Sequence, residues 1–567
     1  MPIKVAFIGA GSIGFTRQLT RDILAVPELR DARFALHDIN ARNLRMVAQL
    51  VQRDIAHNKL PARVTTHKER KAALDGAHYV INCTRIGGLE AFRSDIDIPL
   101  KYGVDQCVGD TLCVGGILYG QRNIPQVLDF CADIRNAAAD DALFLNYANP
   151  MAMNTWAALE HGGVQALGLC HGVQGGHWQI AQAIELLVNK GKKPGSRGFK
   201  PVAMQDVDII AAGINHQTWY VQVLFEGEDW TGRRLEGFEE HPDFSRQEKV
   251  RIDMLRRFGL YSTESNGHLS EYVPWYRKRP RDIPKWISLD FWILGEAGGY
   301  LRMCTEGRSW SETDLPNWLK ETPPDLANGY QRSLEHGSFI IEGLETGRHH
   351  RGHFNVRNNG AITNLPDDCI VEIPGHVDGN GIAMTRVGAL PLGCAAVCNA
   401  SVSVQRLAVE AAVRGDVALL EQAATMDPLT GAVCDPHEIN QMIDEMLVAQ
   451  AKWLPQYRGE IAGARRRLEG AKALGTSKSR GAARVKTKSV GEMRKDAARA
   501  RRMASATDKG NAAREQRAAM RISARLRPPR AARRAARRAT GPRAGSSAPR
   551  SSSPRYRRPC RGPRTCG

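Results

Sequence analysis

From Lys4 to about Ala212 the chain alternates short apolar runs with stretches in which apolar positions recur at helical spacing. The runs at 5–8, 33–37, 79–83, 143–146, 166–170 and 207–212 are rich in Val, Ile, Leu, Phe and Ala, as strands buried on both faces must be. Segments at 15–25, 42–56, 125–137 and 152–160 read as the helices between them. Strand and helix in alternation predict βαβ units and a parallel sheet covered on both sides. After Trp219 the pattern gives way to polar and aromatic stretches and then to helical segments at 331–345, 404–414 and 437–452. The expected architecture is α/β, with a Rossmann-type parallel sheet in residues 1–212 and a second α+β region in residues 213–460.

Composition changes this picture at one point. From Ile461 onward the sequence holds 32 Lys and Arg against 5 Asp and Glu, a net +27, so the overall +19 conceals a mildly acidic remainder of −8 in residues 1–460. Arg, Ala, Gly, Pro and Ser dominate residues 461–567 without apolar periodicity, and such a segment cannot offset its ordering entropy by burial. A disordered tail is expected, of the composition that a shifted reading frame in GC-rich DNA encodes. A nucleic-acid partner is not expected, because the charge that suggests one is confined to that tail. Ten of the twelve cysteines precede residue 461 and are scattered, which fits a reduced, cytoplasmic protein better than a disulfide framework. The start of the chain lacks a basic segment followed by an apolar one, and no run of about 18 apolar residues is evident. No membrane association is expected.

Candidate chemistry begins directly after the first strand. Gly9, Gly11 and Gly14 have the G-x-G-x-x-G spacing: the first permits a tight turn, the second lets backbone approach a pyrophosphate, and the third allows close helix packing. Asp38 ends the second strand 24 positions after Gly14, where a carboxylate can hold ribose hydroxyls and favours NAD over NADP. Asn149, in Asn146-Tyr147-Ala148-Asn149-Pro150, stands at another strand end, where doubly wound folds place ligands. Cys170 and His216 follow further strands, in Cys170-His171-Gly172 and Gly213-Ile214-Asn215-His216. A thiolate and an imidazole on adjacent strand ends could bind a divalent metal with open positions for substrate oxygens. Taken singly, each is more often structural. A plain NAD-dependent 2-hydroxy-acid dehydrogenase would explain the glycines and Asp38 but would not require Cys170 or His216.

Together these clusters resemble glycoside hydrolase family 4. The likeness is carried by Arg85-Ile86-Gly87-Gly88-Leu89-Glu90, Gly109-Asp110-Thr111, Gly115-Gly116-Ile117, residues 146–156, Cys170-His171-Gly172-Val173-Gln174-Gly175, Gly213-Ile214-Asn215-His216, Asn364-Leu365-Pro366, Val371-Glu372 and Val377-Asp378. It covers about residues 3–457 and is closest to the α-galactosidase branch; α-galacturonidase, α-glucuronidase and α-glucosidase are the alternatives. The resemblance implies a dehydrogenase-like fold and a glycosidase that uses NAD catalytically, the exception to the two-carboxylate rule. It implies oxidation of the sugar at C3, loss of the C2 proton, elimination of the aglycone, addition of water and return of the hydride. By resemblance Cys170 and His216 hold Mn²⁺ or another divalent metal, His171 is the acid for the leaving group, and Asn149 binds substrate hydroxyls. Asp110 would organise water or metal at the substrate, and Arg93 would lie towards the C6 side of the sugar. The base falls in residues 264–272, with Tyr272 preferred and His268 and Glu271 as alternatives. The implied partners are a small glycoside and further copies of the chain, in a dimer or tetramer. Two positions depart from the branch: Gly172 replaces a usual Ser, and Cys113 a common Gly.

Overall fold

The computed structural model describes residues 2–288, 295–305 and 314–475, with the backbone of 555–556. Its strands are β1 (Lys4–Ile8), β2 (Arg33–His37), β3 (Arg63–His67), β4 (Tyr79–Asn82), β5 (Leu143–Asn146), β6 (Gln165–Gly168), β7 (Val207–Ile214), β8 (Gln217–Phe225), β9 (Glu228–Asp229), β10 (His350–Arg357), β11 (Ile370–Asp378) and β12 (Gly381–Met384). The sheet runs β3-β2-β1-β4-β5-β6-β10-β11-β7-β8-β9, with β12 against β11. The first six strands are parallel, as the alternation of strands and helices predicts. From β6 onward every neighbour is antiparallel. The boundary expected at 212/213 therefore falls inside β7 of one continuous sheet.

Two elements escaped the pattern for physical reasons. β3, Arg-Val-Thr-Thr-His, is an edge strand with no buried residue, so no apolar run marks it. The helix Cys113–Ala137 begins twelve residues before the expected 125, with Pro125 inside it. Every residue from Cys113 to Ile124 is buried, and a helix covered all round has no polar stripe to betray its period. The helix Leu392–Arg414 corrects the expectation about long apolar segments, since it has 23 residues and an 18-residue stretch of it has a mean hydropathy of 1.3, long and apolar enough to cross a membrane. In this fold its Cys394, Cys398, Val402, Val404, Ala408 and Val409 are buried in the core.

The boundary of the tail also moves. Arg458–Leu468 is a helix that buries Ile461 and Ala464, and Arg467 forms a two-bonded ion pair with Asp444 of the helix Pro436–Ala449. Residues 476–567 of the expected tail lie outside the described residues, apart from the paired backbone of 555–556. A chain stopped after residue 475 is expected to melt within about a degree of the full protein, whereas one stopped at 460 loses burial on the order of 2 kcal/mol. Melting temperatures of the two truncations check this.

His353 on β10 is buried, and its Nε2 accepts the Ala211 N–H at 3.2 Å. Burial, with Arg351 and His177 nearby, lowers its pKa to about 3. A histidine depressed on folding contributes stability that is complete above its unfolded value near 6.5 and is lost as pH falls towards the folded value. His353→Gln, neutral at every pH and still able to accept that N–H, should reduce the acid-dependent loss by roughly 1.4 kcal/mol for each pH unit below 6.5. Urea midpoints at pH 7 and pH 4.5 measure it.

Candidate active site

The parallel half has the strand order 3-2-1-4-5-6, and the direction of winding reverses between β1 and β4. Ligands of such sheets bind beyond the carboxyl ends of the strands at that reversal. The candidate residues follow those ends: Gly9 after β1, Asp38 after β2, Arg85 after β4, Asn149 after β5 and Cys170 after β6.

At the first strand end Gly9 has φ +83°, and the N–H groups of Gly9 and Ala10 both donate to the His37 carbonyl. The Gly11 N–H donates to Asp38 Oδ2 at 2.7 Å. A Cβ on Gly11 would come 2.5 Å from that oxygen and 3.0 Å from Cβ of Asn43. Gly14 lies in the first turn of the helix Ile13–Leu24. The three glycines and the acid thus meet at one helix N-terminus, a cradle of backbone N–H groups that suits a pyrophosphate.

The second half brings the other residues over this crevice. Asn215 and His216 form the two-residue turn between β7 and β8, where Ile214 pairs with Gln217. His216 takes φ +64° there, the left-handed backbone that such tight hairpins demand. Cys170, His216 and Glu264 each offer a ligand atom, all within 4.8 Å of one another. His216 Nε2 lies 3.3 Å from Glu264 Oε2. Its Nδ1 lies 3.0 Å from Thr111 Oγ1 and 3.2 Å from the Tyr272 hydroxyl. Burial lowers the His216 pKa to about 4, so its ring is neutral and able to ligate. Burial, aided by Glu372 and Glu264, pushes the Cys170 thiol well up. Burial works against Glu264 as a charge too, but His216 and His268 outweigh it and hold its carboxyl well below the usual range.

Asp110 is the hub of the adjoining network. It accepts the Thr111 hydroxyl at 3.0 Å and the Asn149 amide at 3.0 Å, with Arg85 Nη2 at 3.5 Å and His268 Nε2 at 3.8 Å. Both of its oxygens are engaged, so it orients Asn149 and the ring side of the site. Asn149 is half-buried at the rim.

The three candidate bases occupy different places. Tyr272 is 1% exposed and stacks on His216. His268 sits between Asp110 and Glu264, 3.4 Å from the latter; burial opposes its charge, yet Glu264 above all raises it to about 9. Glu271 accepts the backbone N–H groups of Cys107, Val108 and Gly109 at 2.7 to 3.1 Å. His171 opens the helix Gly172–Val188 with its side chain 76% exposed, 3.5 Å from Glu335. The Glu335 hydrogen bond raises its pKa above the ordinary histidine value.

Arg93 does not join the cluster. It is exposed on the helix Gly88–Lys101, and the guanidinium that reaches Asp110 is that of Arg85, between the rings of Phe92, Tyr119 and Tyr300 at 4.4 to 5.5 Å. Arg93 thus stays on the exposed face of its helix, and the loop after β4 supplies Arg85 to the cluster instead. Arg85 carried a usable signal, its place at the carboxyl end of β4. Glu264 lay in the stretch expected to hold the base, but its place beside Cys170, like that of Glu335 beside His171, is set only by the fold.

The profile described as Family 4 glycosyl hydrolase matches residues 4–186, and that of the Family 4 glycosyl hydrolase C-terminal domain matches residues 211–430. An α-galactosidase of Rhizobium meliloti is 56% identical over 501 residues, covering 88% of this chain and 99% of its own length. That share of the chain is more than residues 1–460 can supply, so the likeness continues into the basic segment. An α-galactosidase of Bacillus subtilis is 34% identical over 80% of this chain and all of its own length. Among solved structures, a 6-phospho-β-glucosidase of Thermotoga maritima with manganese, NAD⁺ and glucose-6-phosphate has a TM-score of 0.63 at 23% identity, covering 80% of this chain and 99% of that one.

Proposed function

Since the chain belongs to family 4 of the glycosyl hydrolases and is a glycosidase, we propose that it hydrolyses α-galactosides with the help of NAD and a divalent metal such as Mn²⁺. The observation that carries the reading is the convergence of Cys170, His216 and Glu264 beyond the carboxyl end of β6, on the same edge of the parallel sheet as the glycine turn. A dehydrogenase of 2-hydroxy acids would not require a thiol converging with an imidazole and a carboxylate. The donor set fits a divalent ion: thiolate, neutral imidazole and carboxylate, partly buried and open towards a substrate. The turn at Gly9 and Gly11 fits a dinucleotide, with Asp38 at the ribose. The 56% identical relative is an α-galactosidase, which supports a neutral sugar over a uronide.

When bound, NAD⁺ supplies a hydride acceptor that returns what it takes, and the metal supplies Lewis acidity towards sugar oxygens. The rest is the work of side chains. His171, exposed and paired with Glu335, whose hydrogen bond raises its pKa, is the acid for the leaving oxygen. Asn149, oriented by Asp110, binds sugar hydroxyls. With Nε2 of His216 turned to the ion, Nδ1 carries the ring proton and donates it to Thr111 and Tyr272, fixing the ligand as such hydrogen bonds do. Burial and the carboxylates of Glu271, Asp110 and Glu264 push the Tyr272 hydroxyl well up; the hydrogen bond from Nδ1 works against them, and Tyr272 is the preferred group for the C2 proton. His268 is kept charged, and the oxygens of Glu271 are occupied by three N–H groups, so neither is free to accept it. We further propose that the enzyme works as a dimer or tetramer in the cytoplasm, whose reducing conditions preserve the Cys170 thiol.

Hydrolysis of p-nitrophenyl α-galactoside in deuterated water, with NAD⁺, Mn²⁺ and a thiol reductant, tests the reading. Released galactose should carry deuterium at C2, no net NADH should accumulate, and Tyr272→Phe should suppress exchange and hydrolysis together. A wild-type enzyme that cleaves the substrate without exchange and without isotope effects at C2 and C3 would contradict it.

A further inference from the structure

Glu264 stands just before a short helix and takes φ +76°, a left-handed backbone that a non-glycine residue holds only where its surroundings require it. The two oxygens of its carboxylate face different neighbours. Oε1 accepts the Ser265 N–H at 3.0 Å and lies 3.4 Å from His268 Nδ1. Oε2 is turned the other way, 3.3 Å from His216 Nε2. The space it enters is made by an absent side chain, because a Cβ on Gly172 would stand 2.9 Å from Oε2 and 3.6 Å from the Cys170 sulfur. Gly172 keeps φ outside the left-handed region, so its backbone does not require glycine. The room does.

We propose that Glu264 is a third protein ligand of the metal, beside Cys170 and His216, and that Gly172 is the residue that admits it. The inference rests on the reading of Cys170 and His216 as ligands. His268 and the Ser265 N–H hold Oε1 and so aim Oε2 into the gap between sulfur and imidazole. An anionic oxygen in the set makes the site harder than a thiolate and imidazole alone, and shifts its preference towards Mn²⁺ relative to softer ions. Three protein ligands still leave positions for two sugar oxygens.

The test is Mn²⁺ binding to the chelated full-length protein, followed by electron paramagnetic resonance of the free ion, with circular dichroism and NAD⁺ affinity confirming the fold of each variant. Residues that only orient a metal ligand are worth about 10- to 100-fold in affinity, so Glu264→Gln should weaken Mn²⁺ by at least roughly tenfold. Gly172→Ala should do the same from a position that offers no ligand atom, because its methyl group displaces Oε2, the movable end of a side chain. The double variant should be no weaker than Glu264→Gln, since the displaced oxygen is already gone. Mn²⁺ binding by Glu264→Gln within about twofold of wild type overturns the ligand assignment, and the same result for Gly172→Ala overturns the part given to Gly172. If Cys170→Ser and His216→Ala also bind Mn²⁺ unchanged, the metal reading itself is wrong. If they lose it while Glu264→Gln does not, only this inference fails.

Discussion

Cys170→Ser and His216→Ala should each lower kcat/KM for an α-galactoside by more than about a hundredfold, since groups that merely orient a ligand are already worth 10- to 100-fold. Serine is close to cysteine in size but is a poor soft ligand, so the first variant removes the metal's anchor and leaves the packing in place. His216 is the more exposed to secondary effects. Its left-handed φ of +64° belongs to the hairpin turn, and its Nδ1 organises Thr111 and Tyr272. His216→Asn, which tolerates that backbone, separates loss of the ligand from strain in the turn. Chelation and thiol alkylation should mimic Cys170→Ser, and Mn²⁺ should revive the chelated enzyme but not the alkylated one. Wild-type turnover in both Cys170→Ser and His216→Ala would show that the catalytic centre lies elsewhere.

Gly11→Ala should weaken NAD⁺ by about 5- to 150-fold, the effect of roughly 1 to 3 kcal/mol of overpacking, and Gly11→Val should abolish activity. The new Cβ would lie 2.5 Å from the Asp38 oxygen, so the methyl group both fills the approach to the pyrophosphate and displaces the carboxylate meant for the ribose. Two features of binding are lost through one carbon. NAD⁺ titration by protein fluorescence, compared with activity at saturating NAD⁺, separates lost affinity from lost chemistry. Unchanged NAD⁺ affinity in Gly11→Val would remove the nucleotide from this turn.

The parallel half of the fold was legible because each of its features is local. A strand covered on both faces must be apolar along its length, and a glycine turn must keep its spacing. The six parallel strands therefore appear in the sequence, except for β3, whose edge position exempts it from the rule. Gly9, Gly11 and Asp38 meet as expected because they follow neighbouring strands, β1 and β2, held in fixed register. Cys170 and His216 could be named from strand ends and family likeness, but their approach depends on the antiparallel extension in which β10 and β11 are inserted between β6 and β7.

What the sequence determined by itself is the set of short-range necessities: buried strands, the glycine turn, the acid at the second strand end and the candidate ligands Cys170 and His216. The tertiary structure alone decided partnership. It chose Arg85 over Arg93, since the helix Gly88–Lys101 turns Arg93 to solvent while β4 delivers Arg85 to Asp110. It placed Glu335 on His171, 164 positions away in the chain. It set Glu264 beside Gly172, where a missing methyl group matters only because a distant carboxylate fills its place. Contacts of that kind depend on how far apart folded elements come to rest, and no spacing along the chain encodes that distance.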